Sequence, residues 1–102
     1  MPLFIKTETF TASTRALSVQ QRRVHLEHHR AWVEELQRSG CRIASGYLID
    51  EQQRPGGGGW LVIEAESFQR AKSMIQQDPM ISGGLVTWSL SEWRSVCGDL
   101  LS

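Results

Sequence analysis

The chain alternates between strand and helix periodicity in the order β-α-β-β-α-β, and this order limits its 102 residues to few folds. Alternation with period two predicts a strand at 3–10, and further strands are predicted at 41–49, 60–65 and 85–90. Apolar residues spaced three and four apart predict one helix at 19–39 and a second that begins at Ser67. Two βαβ halves of this kind build a four-stranded antiparallel sheet with both helices on one face. We therefore expect a single α+β domain over 1–102.

Residues that start or stop helices mark the limits of these elements. Ser18 is predicted to cap the first helix, and Gly40 to follow its last turn. The pair Asp78-Pro79 ends the second helix, because proline disfavours helix at the residue before it. The stretch 50–59, which closes with four consecutive glycines, is predicted to be a turn or mobile loop. The end of the chain, at 93–101, is predicted to form a short helix.

The predicted strands are apolar on both faces, which a sheet covered on one side only does not require. The strand at 41–49 places Ile43 on one face and Leu48 on the other, and the strand at 60–65 is apolar in both positions. A bare face of this kind is larger than most soluble monomers expose. A second copy of the chain is the simplest cover, so we expect a homodimer.

Composition and the N-terminus argue against several classes of protein. Eleven basic residues balance eleven acidic ones, so no net positive field favours nucleic acid or anionic lipid. The N-terminus lacks the basic and apolar regions of a signal peptide, and no apolar run reaches the roughly 18 residues of a membrane span. Cys41 and Cys97 lie far apart without metal-binding spacing. A disulfide between them stays open, but reduced thiols in a cytoplasmic protein are the simpler expectation.

Three histidines cluster in the first helix, at His25, His28 and His29. His25 and His29 are four residues apart, a spacing that can present two nitrogens to one metal ion. The metalloprotease signature needs Glu directly after the first His, where Leu26 stands, and no third ligand is evident. We therefore expect no bound metal, with His25 and His28 as solvated helix residues.

His29 differs from the other two histidines because it lies on the apolar stripe of the helix, between Leu26 and Val33. An imidazole directed at the sheet suits a general acid or base, although a buried histidine with one hydrogen bond is the simpler alternative. Asp78 also has two interpretations. It could be a carboxylate of the site, or it could cap the turn that follows it, as an aspartate before proline commonly does. Trp88 could line a pocket or belong to the core.

Several short motifs, taken in order, resemble the YCII-related family of small bacterial proteins. In the first helix and second strand they are His29-Arg30-Ala31-Trp32-Val33 with Leu36 and Gly40, then Gly46-Tyr47-Leu48-Ile49-Asp50. In the rest of the chain they are Glu64-Ala65, Ser67, Ala71, Asp78-Pro79, Gly84-Leu85 and Leu90-Ser91-Glu92-Trp93. The resemblance extends over about 22–93, and the order and spacing of the motifs make it specific.

The resemblance implies a ferredoxin-like fold whose sheet packs against that of a second copy in a dimeric α+β barrel. It also implies a histidine–aspartate site, carried here by His29 and Asp78. One group of relatives removes HCl from chlorinated hydroxyquinols, and fold relatives isomerise muconolactones. Two positions depart from the family pattern: Leu26 stands where an arginine often occurs, and Tyr47 replaces the usual proline. An anionic substrate would then need Arg22, Arg23 or Arg42 in place of the missing arginine.

Three hypotheses about function follow. The first is a small cofactor-free enzyme in which His29 transfers protons and Asp78 orients its ring, acting by elimination or isomerisation on a small aromatic or lactone-like molecule. The second is a non-catalytic ligand-binding or accessory domain that uses the same cleft, and the third is a dimerisation module without a ligand. The residues expected to line the substrate pocket are Ser45, Tyr47, Arg22 and Trp88.

Overall fold

The computed structural model describes residues 1–100, in which four strands and four helices are present. The strands are β1 (Leu3–Phe10), β2 (Ile43–Ile49), β3 (Pro55–Glu64) and β4 (Val86–Trp93). The helices are α1 (Ala12–Arg15), α2 (Val19–Arg38), α3 (Phe68–Ile75) and α4 (Pro79–Ser82). Apart from the one-turn helices α1 and α4, the order is the predicted β-α-β-β-α-β. None of the helices in this part of the chain is long and apolar enough to cross a membrane.

The four strands form one antiparallel sheet in the spatial order β2-β3-β1-β4. Phe4, Leu61 and Ile63 point to one side of the sheet, where they are fully buried with Ala71 and Ile75 of α3. Burying each of the larger side chains contributes about 1.5–3 kcal/mol, so this cluster holds α3 on that face. The predicted ferredoxin-like α+β fold, with its helices on one face of the sheet, is confirmed.

The long helix α2 is defined by its ends rather than by a buried stripe. Ser18 forms a capping box with Gln21, and Gly40 has a φ of +97° just beyond the helix, as predicted. None of the residues of α2 is fully buried, and Leu26 remains 44% exposed on the stripe that faces the sheet. The first half of α2 therefore leaves a cleft between itself and the sheet.

Two predictions about local structure are wrong. The glycine run at 56–59 belongs to β3, because the turn is completed earlier by Asp50, whose carboxylate accepts hydrogen bonds from the Gln52 and Arg54 amides. The expected helix at 93–101 is not found in its described part: Trp93 ends β4 and 94–100 contains no helix, while residue 101 lies outside the described residues. Pairing with β1 along the full length of β4 extends this strand as far as Trp93.

The glycines of β3 allow this strand to pass close to β1. A Cβ atom on Gly58 would lie 2.5 Å from the Glu8 carbonyl oxygen, and the φ of Gly58 is +92°. A Cβ atom on Gly59 would lie 2.8 Å from Glu8 Cγ, so the missing side chain leaves room for that of Glu8. Glycine is therefore required here for backbone conformation at one position and for space at the next.

We expect Gly58→Ala to lower the free energy of unfolding by about 1–3 kcal/mol, because alanine would need a left-handed backbone and would displace a carbonyl group. Gly46→Ala is the matched control, since a Cβ atom there meets nothing within 4 Å. Urea unfolding of the two variants measures the difference. Equal stabilities would show that β3 shifts away from β1 without cost.

The face of the sheet opposite the helices carries an apolar patch that no element of the described chain covers. Ile5 and Val62 lie side by side on it in paired strands, and the exposed side chains of Leu48 and Trp60 lie on the same side. Alternation along each strand directs these four side chains away from α2 and α3. We refer to this patch of Ile5, Leu48, Trp60 and Val62 as the open face.

Candidate active site

His29 lies between two side chains that approach its two ring nitrogens. Nδ1 is 2.8 Å from Asp78 Oδ1, and Nε2 is 2.8 Å from Ser45 Oγ on β2. Only 14% of the histidine side chain is exposed, as its place on the inward stripe of α2 predicts. Because a carboxylate only accepts hydrogen bonds, Nδ1 donates to Asp78. A neutral ring then accepts from the Ser45 hydroxyl at Nε2.

Asp78 joins three groups although its side chain is completely buried. Oδ1 accepts hydrogen bonds from His29 and from the Met80 amide at 3.0 Å, and Oδ2 accepts from Lys6 Nζ at 2.9 Å. Asp78 is thus the N-cap of α4, with Pro79 as the first helical residue, and also the partner of His29. One carboxylate can cap α4 and contact His29 together, because each of its oxygens can accept more than one hydrogen bond.

Burial by itself raises the pKa of Asp78, but its partners reverse the effect. The hydrogen bond from His29 and the positive charge of Lys6 hold the pKa of this carboxyl below its ordinary value of 3.8. Asp78 is therefore ionised at neutral pH and keeps the proton of a neutral His29 on Nδ1. Nε2 becomes the nitrogen that is available for chemistry.

The lowered pKa of Asp78 predicts a loss of stability in acid. A carboxyl whose pKa is lower in the folded chain than in the unfolded chain stabilises the fold above the unfolded value. We expect this contribution to decline as the pH falls below about 4 and to vanish below the folded pKa. Asp78→Asn keeps an acceptor for Met80 but should flatten the acid limb of the unfolding free energy, measured in urea. An unchanged acid limb would exclude Asp78 as its source.

Lys6 is a site residue that the sequence pattern did not single out. It lies on β1 between Phe4 and Glu8, on the inward face of the sheet, and is only 1% exposed. Its ammonium group forms ion pairs with Asp78 and with Glu8. A lysine at an inward strand position was the one signal that could have identified it, because lysine is rarely buried without a partner. This cation offsets the negative charge that the two carboxylates bring into the site.

His29 faces a cleft of about 820 Å³ between α2 and the β2-β3 side of the sheet. The apolar part of its wall includes Phe10, Leu26, Val33 and Met80. This volume is within the range of small-molecule sites in proteins. Two of the four predicted pocket residues, Ser45 and Tyr47, line this cleft.

The other two predicted pocket residues, Arg22 and Trp88, do not line the cleft. Trp88 lies on β4, separated from the cleft by β1, and packs against the core on the side covered by α3. Arg22 turns its guanidinium back onto the carbonyl oxygens of Arg15 and Leu17, at 3.1 and 2.6 Å. Sheet order explains the position of Trp88, and the turn before α2 explains that of Arg22.

The arginines that line the cleft are Arg15 and Arg30 rather than Arg22, Arg23 or Arg42. Neither Arg23 nor Arg42 lines the cleft, and Arg42 forms an ion pair with Glu64. Arg15 lines the cleft, and its guanidinium has no hydrogen-bond or ion-pair partner in residues 1–100. Arg15 belongs to α1, a one-turn helix that periodicity does not reveal.

His25 and His28 take no part in this hydrogen-bonded site. In the described chain, no three His, Cys, Asp or Glu side chains are grouped as a metal ion would require. The absence of bound metal stays a prediction, which elemental analysis of the purified protein would test.

A four-stranded antiparallel sheet with its helices on one face makes this chain a ferredoxin-like α+β domain. The chain belongs to the YCII-related domain family, whose family model matches residues 8–94. Its structure is similar to that of 5-chloro-2-hydroxyhydroquinone dehydrochlorinase from Burkholderia phenoliruptrix, in complex with 2,5-dihydroxybenzoquinone. The TM-score is 0.66 at 23% identity, over 90% of this chain and 93% of the other. A search of curated protein sequences finds no match.

Proposed function

We propose that this chain is a small enzyme that works without a cofactor, in which His29 transfers protons on a small hydroxylated ring compound. The observation that carries the proposal is the 2.8 Å contact between His29 Nδ1 and Asp78 Oδ1 in the wall of the cleft. A carboxylate behind an imidazole holds the ring in one tautomer and stabilises its protonated form. Membership of the family and the dehydrochlorinase activity of the structural neighbour support this chemistry.

Elimination of HCl from a chlorinated hydroxyquinol is the reaction we propose. His29 Nε2 accepts a hydroxyl proton, returns it to the chlorine-bearing carbon, and accepts a second hydroxyl proton as chloride leaves. The substrate loses one proton and one chloride ion in total, so the step balances without an oxidant. The first substrate hydroxyl takes the hydrogen-bonding position at Nε2 that Ser45 occupies in the free protein.

The charges around the ring suit this reaction. Asp78 faces Nδ1 and stabilises the imidazolium that forms when Nε2 takes a proton. Lys6 offsets part of the negative charge of Asp78. Arg15 in the cleft wall offers a positive charge to the hydroxyquinol anion.

Turnover of 5-chloro-2-hydroxyhydroquinone tests the proposal. We expect the purified protein to release one chloride ion per substrate consumed, measured with a chloride electrode alongside the absorbance of the quinone product. Binding of 2,5-dihydroxybenzoquinone should quench tryptophan fluorescence, because the ring of Trp32 lies 5.8 Å from that of His29 between centroids. Binding without chloride release would favour a ligand-binding or accessory domain instead. If neither binding nor release occurs, the proposed substrate class is wrong.

The proposal includes a homodimer that buries the open face of the sheet. Ile5, Leu48, Trp60 and Val62 form an apolar surface there, and a stable dimer interface buries at least about 1,200 Å² in total. Sheet packing of this kind leaves the cleft, which lies on the helix side, open to solvent. Dimerisation and substrate binding therefore use opposite faces of the same sheet.

We expect light scattering at micromolar concentration to give twice the chain mass of 11.5 kDa. Val62→Glu places a charge in the middle of the open face and should produce monomers. Val24→Glu is the matched control, because that valine lies on α2 and is 53% exposed. A native chain of 11.5 kDa, or a Val62→Glu variant that stays dimeric, would contradict the proposed interface.

A further inference from the structure

Three side chains from separate parts of the chain form a hydrogen-bonded series that ends at a serine in the cleft. Asp78 Oδ1 is 2.8 Å from His29 Nδ1, and His29 Nε2 is 2.8 Å from Ser45 Oγ. Serine hydrolases use these residue types in this order, and they are recognised by geometry rather than by fold or by order along the chain. The distances fall within the range expected between a nucleophile, its base and the group that orients the base.

We infer that Ser45 is a nucleophile and that this cleft hydrolyses small carboxylic esters. Proton transfer by His29 in the proposed function needs only the His29–Asp78 pair, whereas ester hydrolysis adds a covalent step at Ser45. The inference therefore rests on the same base as the proposed function but describes a second activity.

The surroundings of Ser45 favour a chemical role over a structural one. Ser45 is an exposed residue of β2, an edge strand of the sheet, so water could satisfy its hydroxyl without any protein partner. Its hydroxyl instead has His29 as its hydrogen-bond partner in residues 1–100. Since Asp78 keeps the imidazole proton on Nδ1, the Ser45 hydroxyl donates to Nε2, which is the direction in which its proton must leave.

The reaction balances with water as the only co-reactant. His29 Nε2 takes the Ser45 proton while Oγ attacks the ester carbonyl, and the same proton passes to the leaving alkoxide as the carbon–oxygen bond breaks. Water then attacks the acyl-serine with His29 as base, which releases the acid and restores Ser45. The cleft is open to solvent, so water has access to this intermediate.

The cleft wall indicates the class of ester. Phe10, Val33 and Met80 offer apolar contacts to an aromatic or branched group, and a volume of about 820 Å³ accommodates a small molecule only. Arg15, the cation in this wall without a partner in residues 1–100, would attract the negative charge that develops on the substrate. Short aryl esters and lactones with a single ring combine these properties.

Covalent labelling with an alkyl fluorophosphonate tests the inference on the full chain. We expect one adduct by intact mass, assigned by peptide mapping to Ser45. The adduct should be absent in Ser45→Ala and should form about 10²–10⁴-fold more slowly in His29→Gln, which removes the base. Ser73→Ala is the matched control, because Ser73 is an exposed serine on α3, and it should label like the native protein. Circular dichroism of each variant confirms folding.

Hydrolysis of p-nitrophenyl acetate supplies a second measurement, with the acetyl group expected on Ser45. No adduct on the native protein, acetyl transfer to His29 alone, or Ser45 labelling that ignores His29→Gln would overturn the inference. Chloride release from the chlorinated hydroxyquinol without Ser45 labelling would contradict the inference and leave the proposed function standing. Labelling at Ser45 in a protein that never releases chloride would overturn the proposed function and leave the inference standing.

Discussion

His29→Gln is expected to reduce chloride release from 5-chloro-2-hydroxyhydroquinone by about 10²–10⁴-fold, the usual contribution of a positioned general base. Glutamine can still donate a hydrogen bond to Asp78, so the buried carboxylate keeps a partner and the fold should persist. The loss should appear mainly in kcat, because the imidazole acts on the proton in the transition state and contributes less to substrate binding.

His28→Gln makes the same substitution on the adjacent, exposed residue of α2 and should retain full turnover. Both variants should melt close to the native protein, which separates chemistry from folding. Turnover that is equal in the two variants would remove His29 from the mechanism. A loss of activity that comes only from a raised KM would instead assign His29 to substrate binding.

Lys6→Met is expected to lower the free energy of unfolding by roughly 3–5 kcal/mol, the cost of removing one partner from a buried ion pair. Methionine has a similar length and fills the space of the lysine stem, so little of this loss should come from packing. The loss arises because Asp78, which is completely buried, and Glu8 would lose the cation that both contact. Against the 5–15 kcal/mol that stabilises most small domains, this is a large change.

Lys72→Met is the matched control for that experiment. Lys72 is an exposed residue on α3, and its substitution should change the unfolding free energy by less than about 0.5 kcal/mol. Urea unfolding at neutral pH measures both variants. If Lys6→Met proves as stable as Lys72→Met, the ammonium group of Lys6 must be solvated and the charge balance described for the site does not exist.

Local signals in the sequence were enough to predict most of the fold. Ser18 and Gly40 bound α2 because capping depends on side chains within a few residues of the helix end. The glycine run at 56–59 misled the prediction, because glycine is equally typical of loops and of strands that approach a neighbour closely. The close contact of Gly58 with the Glu8 backbone depends on β1, a strand about 50 residues earlier.

Half of the site could be predicted and half could not. The inward direction of His29 follows from its position on the stripe of α2, and Asp78 stood out beside Pro79. Their contact follows from the topology, because both helices of a βαββαβ fold lie on one face of the sheet. Ser45 was expected only as a pocket residue, and Lys6 was not expected at all.

The sequence by itself therefore determined the order of the elements, their caps and the face to which each side chain points, since these depend on neighbours within one or two turns. Only the tertiary structure decided that Lys6, His29, Ser45 and Asp78 meet, and that Trp88 and Arg22 do not join them. Lys6 and Asp78 are 72 positions apart, and His29 and Ser45 come from different elements. Periodicity sets the direction of a side chain, whereas strand register and helix packing select which distant side chain lies opposite it.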